Sequence, residues 1–377
     1  MRLFTLVYRN ITRRRVRSAL TICGMAVAVS AVVALVGIAD GFEQSFLKLF
    51  EGHDADIIVS RARSADRMAS ELDESLGPKI AAVSGVDKVE PVLFDTVALP
   101  ELPTTPVVLQ GLDPDSKSLV DLHLVAGRAP TAQDHKAVMV GQMLAANLGK
   151  NVDDTIEIYE GEDCRIVGVY NGESTFENGA IILPLRELQR MLGQQGLVNI
   201  FNVTVQHPTT DEAVKKVVDE LNGLHLGITA LATKLYVASD PKIQGAKAMA
   251  WSTSAIALIV GAIGMLNTMI VSVFERTSEI GVLRAIGWRK SRIFRMILLE
   301  SGILCVAGSV FGTLLALLMT FALSRAPATN GLISSRVSPA VIVQGFEIAM
   351  LIGLFGAIYP AIRATRLLPT VALRHEG

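Results

Sequence analysis

Hydrophobic positions fall into two regimes along this chain. Four runs are almost wholly apolar, at 18–39, 250–274, 302–323 and 340–362. At about 1.5 Å of rise per residue, each is long enough to cross a bilayer as a helix. Between the first and second runs the pattern breaks into short pieces, some alternating at period two like strands and others recurring near 3.6 like helices. This stretch predicts strands at 55–60, 88–97, 106–111, 137–140, 155–159, 165–169, 180–183, 199–205 and 228–237. It predicts helices at 72–83, 142–148, 185–192 and 210–221, the last capped by Thr209 or Thr210. Strands come in clusters instead of alternating strictly with helices, so this segment reads as α+β and not doubly wound. Residues 41–50 keep a helical period, which extends the first span outward as a stalk, and a second stalk begins near Lys242.

The predicted fold class is therefore an α-helical membrane protein with four transmembrane helices plus a large extracytoplasmic α+β domain inserted between helices 1 and 2. The expected boundaries are an amphipathic cytoplasmic helix at 1–17, a first span at 18–40, the α+β domain at 41–247, and a second span at 248–274. They continue with a cytoplasmic loop at 275–300, a third span at 301–323, a short outer loop at 324–339, a fourth span at 340–362, and a cytoplasmic tail at 363–377. Composition agrees with a mixture of membrane and aqueous parts: half of the 377 residues are hydrophobic and 19% are charged, with a mean hydropathy of +0.44. The first run is too long for the apolar core of a signal peptide, lacks a clean small-residue cleavage site, and would leave an odd number of spans if removed.

Net charge is −1, but the sign is unevenly distributed. Six Arg and no acids precede residue 40, whereas 40–247 carries 18 basic residues against 31 acids. Basic residues crowd the ends of the apolar runs on one side of the membrane: six before the first, six between the second and third, three after the fourth, and two between the third and fourth. The positive-inside rule then places both termini and the 275–300 loop in the cytoplasm and the acidic domain outside. The three cysteines, Cys23, Cys164 and Cys305, offer neither a disulfide framework nor metal spacing. The nearest approach to a phosphate-binding loop, Gly149-Lys150-Asn151, lacks both the hydroxyl residue after the lysine and the earlier glycine. No enzyme activity is expected, no cofactor or metal is expected in this chain, and no nucleic-acid partner. Glycines 261, 264, 308, 312, 353 and 356 suit close helix packing in lipid. Asn267, Glu300, Gln344 and Glu347 are the strongly polar residues of the later spans. Glu347 leaves open an ion- or proton-driven carrier.

These features together resemble the permeases of the macrolide-exporter and cell-division type (MacB- and FtsX-like) among the ABC transporters. The loop ERTSEIGVLRAIG at 275–287 and the tail YPAIRATRLLPTVALR at 359–374 carry the resemblance most specifically. RNITRRR at 9–15, VLQGL at 108–112 and RIVGV at 165–169 also fit. The resemblance implies a dimer with a second permease copy or paralogue, sitting on a separate ABC ATPase that binds ATP and Mg²⁺. It further implies a bacterial inner-membrane location, an inserted β-rich part near 97–195, and a periplasmic adaptor or envelope protein as a further partner beside membrane lipids. The implied function is mechanotransmission: ATP hydrolysis relayed to the outer domain to export or extract a lipophilic, lipoprotein or peptide substrate. The alternative is an FtsX-like scaffold that regulates an envelope enzyme and transports nothing.

Within that frame, the loop supplies the expected ATPase-coupling residues: Ser278, Glu279, Ile280, Leu283, Arg284, Ile286 and Gly287. Ser278 can cap a short helix, Glu279 favours its positive end, and Gly287 can close it in a left-handed turn. Ile280, Leu283 and Ile286 would form a sticky face, with Glu279 and Arg284 available for charge pairing. Trp288 followed by Arg289 and Lys290 suits an interfacial anchor.

Overall fold

The computed structural model describes residues 12–13, 15–51, 54–64, 67, 70–103, 105–120, 122–172, 174–324 and 337–366. In chain order these form α1 (Arg15–Glu51), β1 (Ile57–Arg61), β2 (Leu72–Asp73), α2 (Gly77–Ala81), β3 (Val86–Ala98), β4 (Pro106–Leu112), α3 (Lys117–Val120) and β5 (His123–Gly127). Next come β6 (Ala137–Gly141), α4 (Gln142–Leu148), β7 (Thr155–Tyr159), β8 (Glu162–Asn171), α5 (Thr175–Asn178), β9 (Ile181–Pro184) and α6 (Leu185–Leu192). β10 (Leu197–Val198), β11 (Ile200–Val205), α7 (Asp211–Gly223), β12 (Ile228–Ala232) and α8 (Thr233–Ala238) complete the central stretch. The last helices are α9 (Pro241–Glu275), α10 (Thr277–Ala285), α11 (Lys290–Ser324) and α12 (Pro339–Thr365). Most of the amphipathic N-terminal segment 1–17, the outer loop 324–339 and the tail 363–377 lies outside the described residues.

The chain divides into two units. One takes residues up to Asp40, Lys247–Ala322 and α12; the other takes Gly41–Ala246. In the first, α1, α9, α11 and α12 are long and apolar enough to cross a membrane. The apolar part of α1 is 56% buried, against about a third or less for the other three, so α1 is the central helix of this unit. Small residues make that position possible. A Cβ on Gly261 of α9 would lie 2.8 Å from the Ala28 Cβ; on Gly308 of α11, 2.7 Å from the Met25 Cβ; and on Gly345 of α12, 2.7 Å from a Val33 methyl. At Gly312 it would meet the Ala26 carbonyl oxygen at 2.6 Å, a backbone atom that cannot swing away. Of the six glycines singled out by sequence, 261, 308, 312 and 353 sit at such approaches, while a Cβ on Gly264 would meet none of the described residues within 4 Å and one on Gly356 makes only ordinary contacts. Ser301 on α11 donates to the Gly353 carbonyl on α12 at 2.9 Å.

In the second unit, ten strands form one mixed sheet in the order β12-β1-β11-β3-β4-β9-β6-β8-β5, with β7 beside β8. β4–β9 and β6–β8 are parallel, and the remaining pairs are antiparallel. The 13-residue β3 joins the two halves: Val86–Val92 pair with β11 and Leu93–Ala98 with β4. Both faces are covered, as the period-two rule for side chains requires of such apolar strands. Ile57, Val59, Val138, Val140, Ile181, Phe201 and Val203 enter one core with Leu188 and Leu221 of α6 and α7. Their neighbours Ile58, Met139, Ile182 and Ile200 enter the other. That second core is closed by the outer end of α1: Phe42, Phe46 and Phe50 recur every four residues, and their rings meet Phe176 and Tyr236 at 5.7–5.8 Å. The helical period read at 41–50 is this aromatic stripe.

The short elements α3, α5 and β10 were not expected, and three further differences have a clear physical reason. Residues 72–83 are not one helix: Asp73 ends β2 and accepts from the Ser75 amide, so a 3-10 turn precedes α2, which begins at Gly77-Pro78. The expected strand 228–237 stops at Ala232, where its pairing with Ile57 ends. Thr233 then starts α8, its hydroxyl donating to the Ala55 carbonyl. β5 was not expected: all five of its residues are exposed, it pairs only with β8, and so no buried face marks it. The α7 cap is Thr210, whose hydroxyl accepts from the Ala213 amide.

Charge is organised locally on the β6–β8–α6 side. Arg190 donates to both Glu162 oxygens at 3.1 and 3.0 Å and to Glu187 at 2.9 Å, and Lys136 approaches Glu162 at 2.9 Å. Those two cations hold the Glu162 carboxyl down at about 2. Cys164, on β8, is fully enclosed, and burial pushes its thiol up to about 12. Cys305 is also buried, whereas Cys23 lies on an exposed face of α1.

Candidate functional site: the helix between the second and third membrane helices

α9 runs to Glu275, and one residue, Arg276 at φ −110° and ψ 15°, separates it from α10. Thr277 closes the junction by donating its hydroxyl to the Phe274 carbonyl at 2.8 Å. α10 therefore begins one residue before the expected cap. Ser278 lies inside its first turn and makes no capping bond; the N-cap position belongs to Arg276. Because α9 continues so far, its own end supplies the turn that Ser278 was expected to start.

The other end follows the sequence. Gly287 adopts φ +94°. Its amide donates to the Arg284 carbonyl at 3.1 Å, and the Trp288 amide to the Leu283 carbonyl at 3.0 Å. This is the paired-bond Schellman closure, which needs a residue without a Cβ penalty at the left-handed position.

α10 is tied to the membrane helices from one side. Arg276 donates to Glu300 of α11 at 2.7 Å, with only 8% and 10% of the two side chains exposed. The Arg276 guanidinium also lies 3.5 Å from Glu279, which is half exposed. Ile280 is buried with Val273, Ile293, Ile297, Ala361 and Ala364. This corrects the expected sticky face, because Ile280 is spent inside the protein's own packing. The exposed apolar positions of this segment are instead Val282 and Ile286, at 43% and 73%. Leu283 and Arg284 are half-buried, and Arg284 Nε has no hydrogen-bond partner among the described residues.

Three further contacts frame the same end of the unit. Arg17 of α1 forms a two-pronged ion pair with Glu275. The guanidinium of Arg363 on α12 stacks over Phe274 at 4.6 Å, and that of Arg292 over Trp288 at 4.3 Å. Sequence reasoning missed the Arg276–Glu300 pair. Its signal was a basic residue leaving one span and an acid entering the next, which an antiparallel helix pair brings together.

Among the described residues, no group of His, Cys, Asp or Glu could hold a metal ion. The extracytoplasmic unit has a cavity of about 480 Å³ lined by Phe42, Phe46, Phe94 and Phe176, with Asp95, Asp240 and Lys242 at its polar side.

Four membrane-length helices, a large α/β domain between the first two, and a helical loop pinned between the next two define a membrane-protein architecture built around an inserted domain. A family model of the MacB-like periplasmic core domain matches residues 18–222, and one of the FtsX-like permease C-terminal region matches 251–369. The first alone takes in more than half of the chain, which therefore belongs to the MacB/FtsX family of ABC transporter permeases. An uncharacterized ABC transporter permease of Methanocaldococcus jannaschii is 25% identical over 399 residues, covering 99% of this chain and 98% of that one. The uncharacterized ABC transporter permease YknZ of Bacillus subtilis is 24% identical, with 97% of each chain covered. The macrolide export ATP-binding/permease protein MacB of Bdellovibrio bacteriovorus is 24% identical over 98% of this chain, which spans only 61% of that longer protein. Among solved structures, the periplasmic region of MacB from Actinobacillus actinomycetemcomitans aligns with 50% of this chain at 14% identity and a TM-score of 0.39. Family membership rests on the family models. Permeases of this family are components of ABC transporters that work with an ATPase subunit, and the four spans with a periplasmic domain fit a bacterial inner-membrane protein.

Proposed function

We propose that this chain relays ATP hydrolysis by a separate ATPase subunit to its extracytoplasmic domain, driving export or extraction of a lipophilic, lipoprotein or peptide substrate. The observation that carries this reading is the construction of α10. One side is fixed to the membrane helices by Arg276–Glu300 and Ile280, while Val282, Ile286 and Glu279 remain uncovered for a partner. A short helix held on one side and apolar on the other suits insertion into a groove of the motor. α1 and α9 each run unbroken from residues of the membrane unit into residues of the outer unit, which gives displacement a route. In this reading ATP and Mg²⁺ are bound by the ATPase, both termini and α10 are cytoplasmic, and the permease works as a dimer with a second copy or a paralogue. A periplasmic adaptor or envelope protein completes the assembly. The aromatic cavity of the outer unit is where a lipophilic group is expected to bind.

The test is co-purification with the ATPase after Ile286→Asp and, separately, Gly287→Pro. Both variants are expected to insert normally and to lose the ATPase. Undiminished ATPase recovery with Ile286→Asp overturns the docking role of α10.

A further inference from the structure

α11 and α12 leave a groove of about 740 Å³ between them, lined by Leu298, Gly302, Ile303, Val306 and Leu354, with Arg295 at its loop end. Arg295, Leu298, Gly302 and Val306 recur at intervals of three and four, so they share one face of α11. Apart from Arg295 the lining side chains are apolar. Arg295 is exposed and makes no ion pair or hydrogen bond among the described residues, unlike Arg276, which pairs with Glu300, and Arg292, which lies on Trp288.

We propose that this groove binds one phospholipid with an anionic headgroup, an acyl chain lying along Gly302 and Val306 and the headgroup meeting Arg295. The dimensions support a lipid. From Arg295 to Val306 is eleven residues, about 16 Å of helix, close to the roughly 15 Å of hydrocarbon in one leaflet. The charge supports it too, because a single cation at the end of an apolar furrow matches a molecule with one charged head and a long chain. A second copy of this chain is a poorer fit, since close helix contacts in lipid favour runs of small residues, and here Gly302 and Ala307 stand among the larger Leu298, Leu299, Ile303, Met350 and Leu354. This inference depends on membrane insertion and is independent of the ATPase-coupling reading.

The test uses the full chain purified in mild detergent and native mass spectrometry with dioleoyl phosphatidylglycerol or dioleoyl phosphatidylcholine. Two variants separate charge from shape. Arg295→Gln removes the cation; Gly302→Leu fills the furrow, and a Cβ at Gly302 would meet none of the described residues within 4 Å, so a side chain can start there without displacing the backbone. The wild type is expected to retain one phosphatidylglycerol with about fivefold preference over phosphatidylcholine, the contribution of one basic residue at an anionic surface. Arg295→Gln should erase the preference, Gly302→Leu should lose the retained lipid, and Arg289→Gln should change neither. Unaltered lipid retention in Gly302→Leu overturns the proposal. So does a disulfide between two copies through Ile303→Cys in phosphatidylglycerol vesicles, which would show a second chain in the groove.

Discussion

Replacing either partner of the Arg276–Glu300 pair should be among the most damaging single changes in the membrane unit. The guanidinium of Arg276 is 8% exposed and its main partner, at 2.7 Å, is 10% exposed, so water can replace little of what is lost. Removing one member of such a pair leaves an uncompensated buried charge, at a cost of about 3–5 kcal/mol. Glu279 at 3.5 Å could take up part of the Arg276 charge in Glu300→Gln, but it is half exposed and screened, so it restores about 1 kcal/mol at most. Arg276→Gln with Glu300→Gln leaves no buried charge and should cost less than either single change, a coupling of about 2 kcal/mol or more. The assay is a double-mutant cycle on the full chain in detergent micelles, unfolded by denaturant in a Trp251→Phe background, with Trp288 as the remaining tryptophan. Trp288 packs against the cluster that holds Ile280, so its emission reports this end of the unit. Two single changes whose costs add in the double variant, with coupling below about 0.5 kcal/mol, would refute the argument that the pair acts as a buried unit.

Gly312→Ala should destabilise the full chain by about 1–3 kcal/mol, because the added methyl meets the Ala26 carbonyl oxygen at 2.6 Å; Gly264→Ala, with nothing within 4 Å, should not. Thermal unfolding in detergent compares the two. Phe46→Ala should cost about 3–5 kcal/mol in the outer unit, since its ring contacts Phe50 at 5.4 Å and Phe176 at 5.7 Å. Limited proteolysis within 41–246 should speed up accordingly, and an unchanged cleavage rate would contradict the packing argument. Glu162 has a folded pKa of about 2, below its unfolded value near 4.3. Its contribution to stability is therefore complete above the unfolded value and is lost as pH falls towards 2. Glu162→Gln should flatten the acid limb of a stability–pH curve between pH 4 and 2 relative to wild type.

The four spans were legible because a bilayer demands long apolar runs and nothing else in the chain resembles them. α4 and α6 were legible to the residue because each ends at a glycine held at positive φ, Gly149 at 65° and Gly193 at 68°. Gly287 gave the end of α10 in the same way. What could not be read locally depended on a distant partner. Ser278 looks like a cap until α9 is seen to reach Glu275, and Ile280 looks free until the Ile293 and Ala361 faces are placed against it. Arg276 and Glu300 are 24 positions apart, so only the antiparallel arrangement of α9 and α11 reveals their pairing. β5 stayed hidden because an exposed edge strand has no buried face to impose a period.

The central position of α1 also sets an order of events during synthesis. The three helices that surround it are made after about 200 further residues have left the ribosome, so α1 must enter the bilayer and wait there without its neighbours. Its polar side chains are suited to that wait: Thr21 donates to the Arg17 carbonyl and Ser30 to the Val27 carbonyl, both at 2.9 Å. Each hydroxyl is satisfied by its own helix, so lipid alone can hold α1 until α9 arrives. Ser301, by contrast, finds its acceptor on α12, which is made after α1, α9 and α11. The membrane unit closes from the inside outward, and the hydrogen bond between α11 and α12 forms only after the helices around α1 have been made.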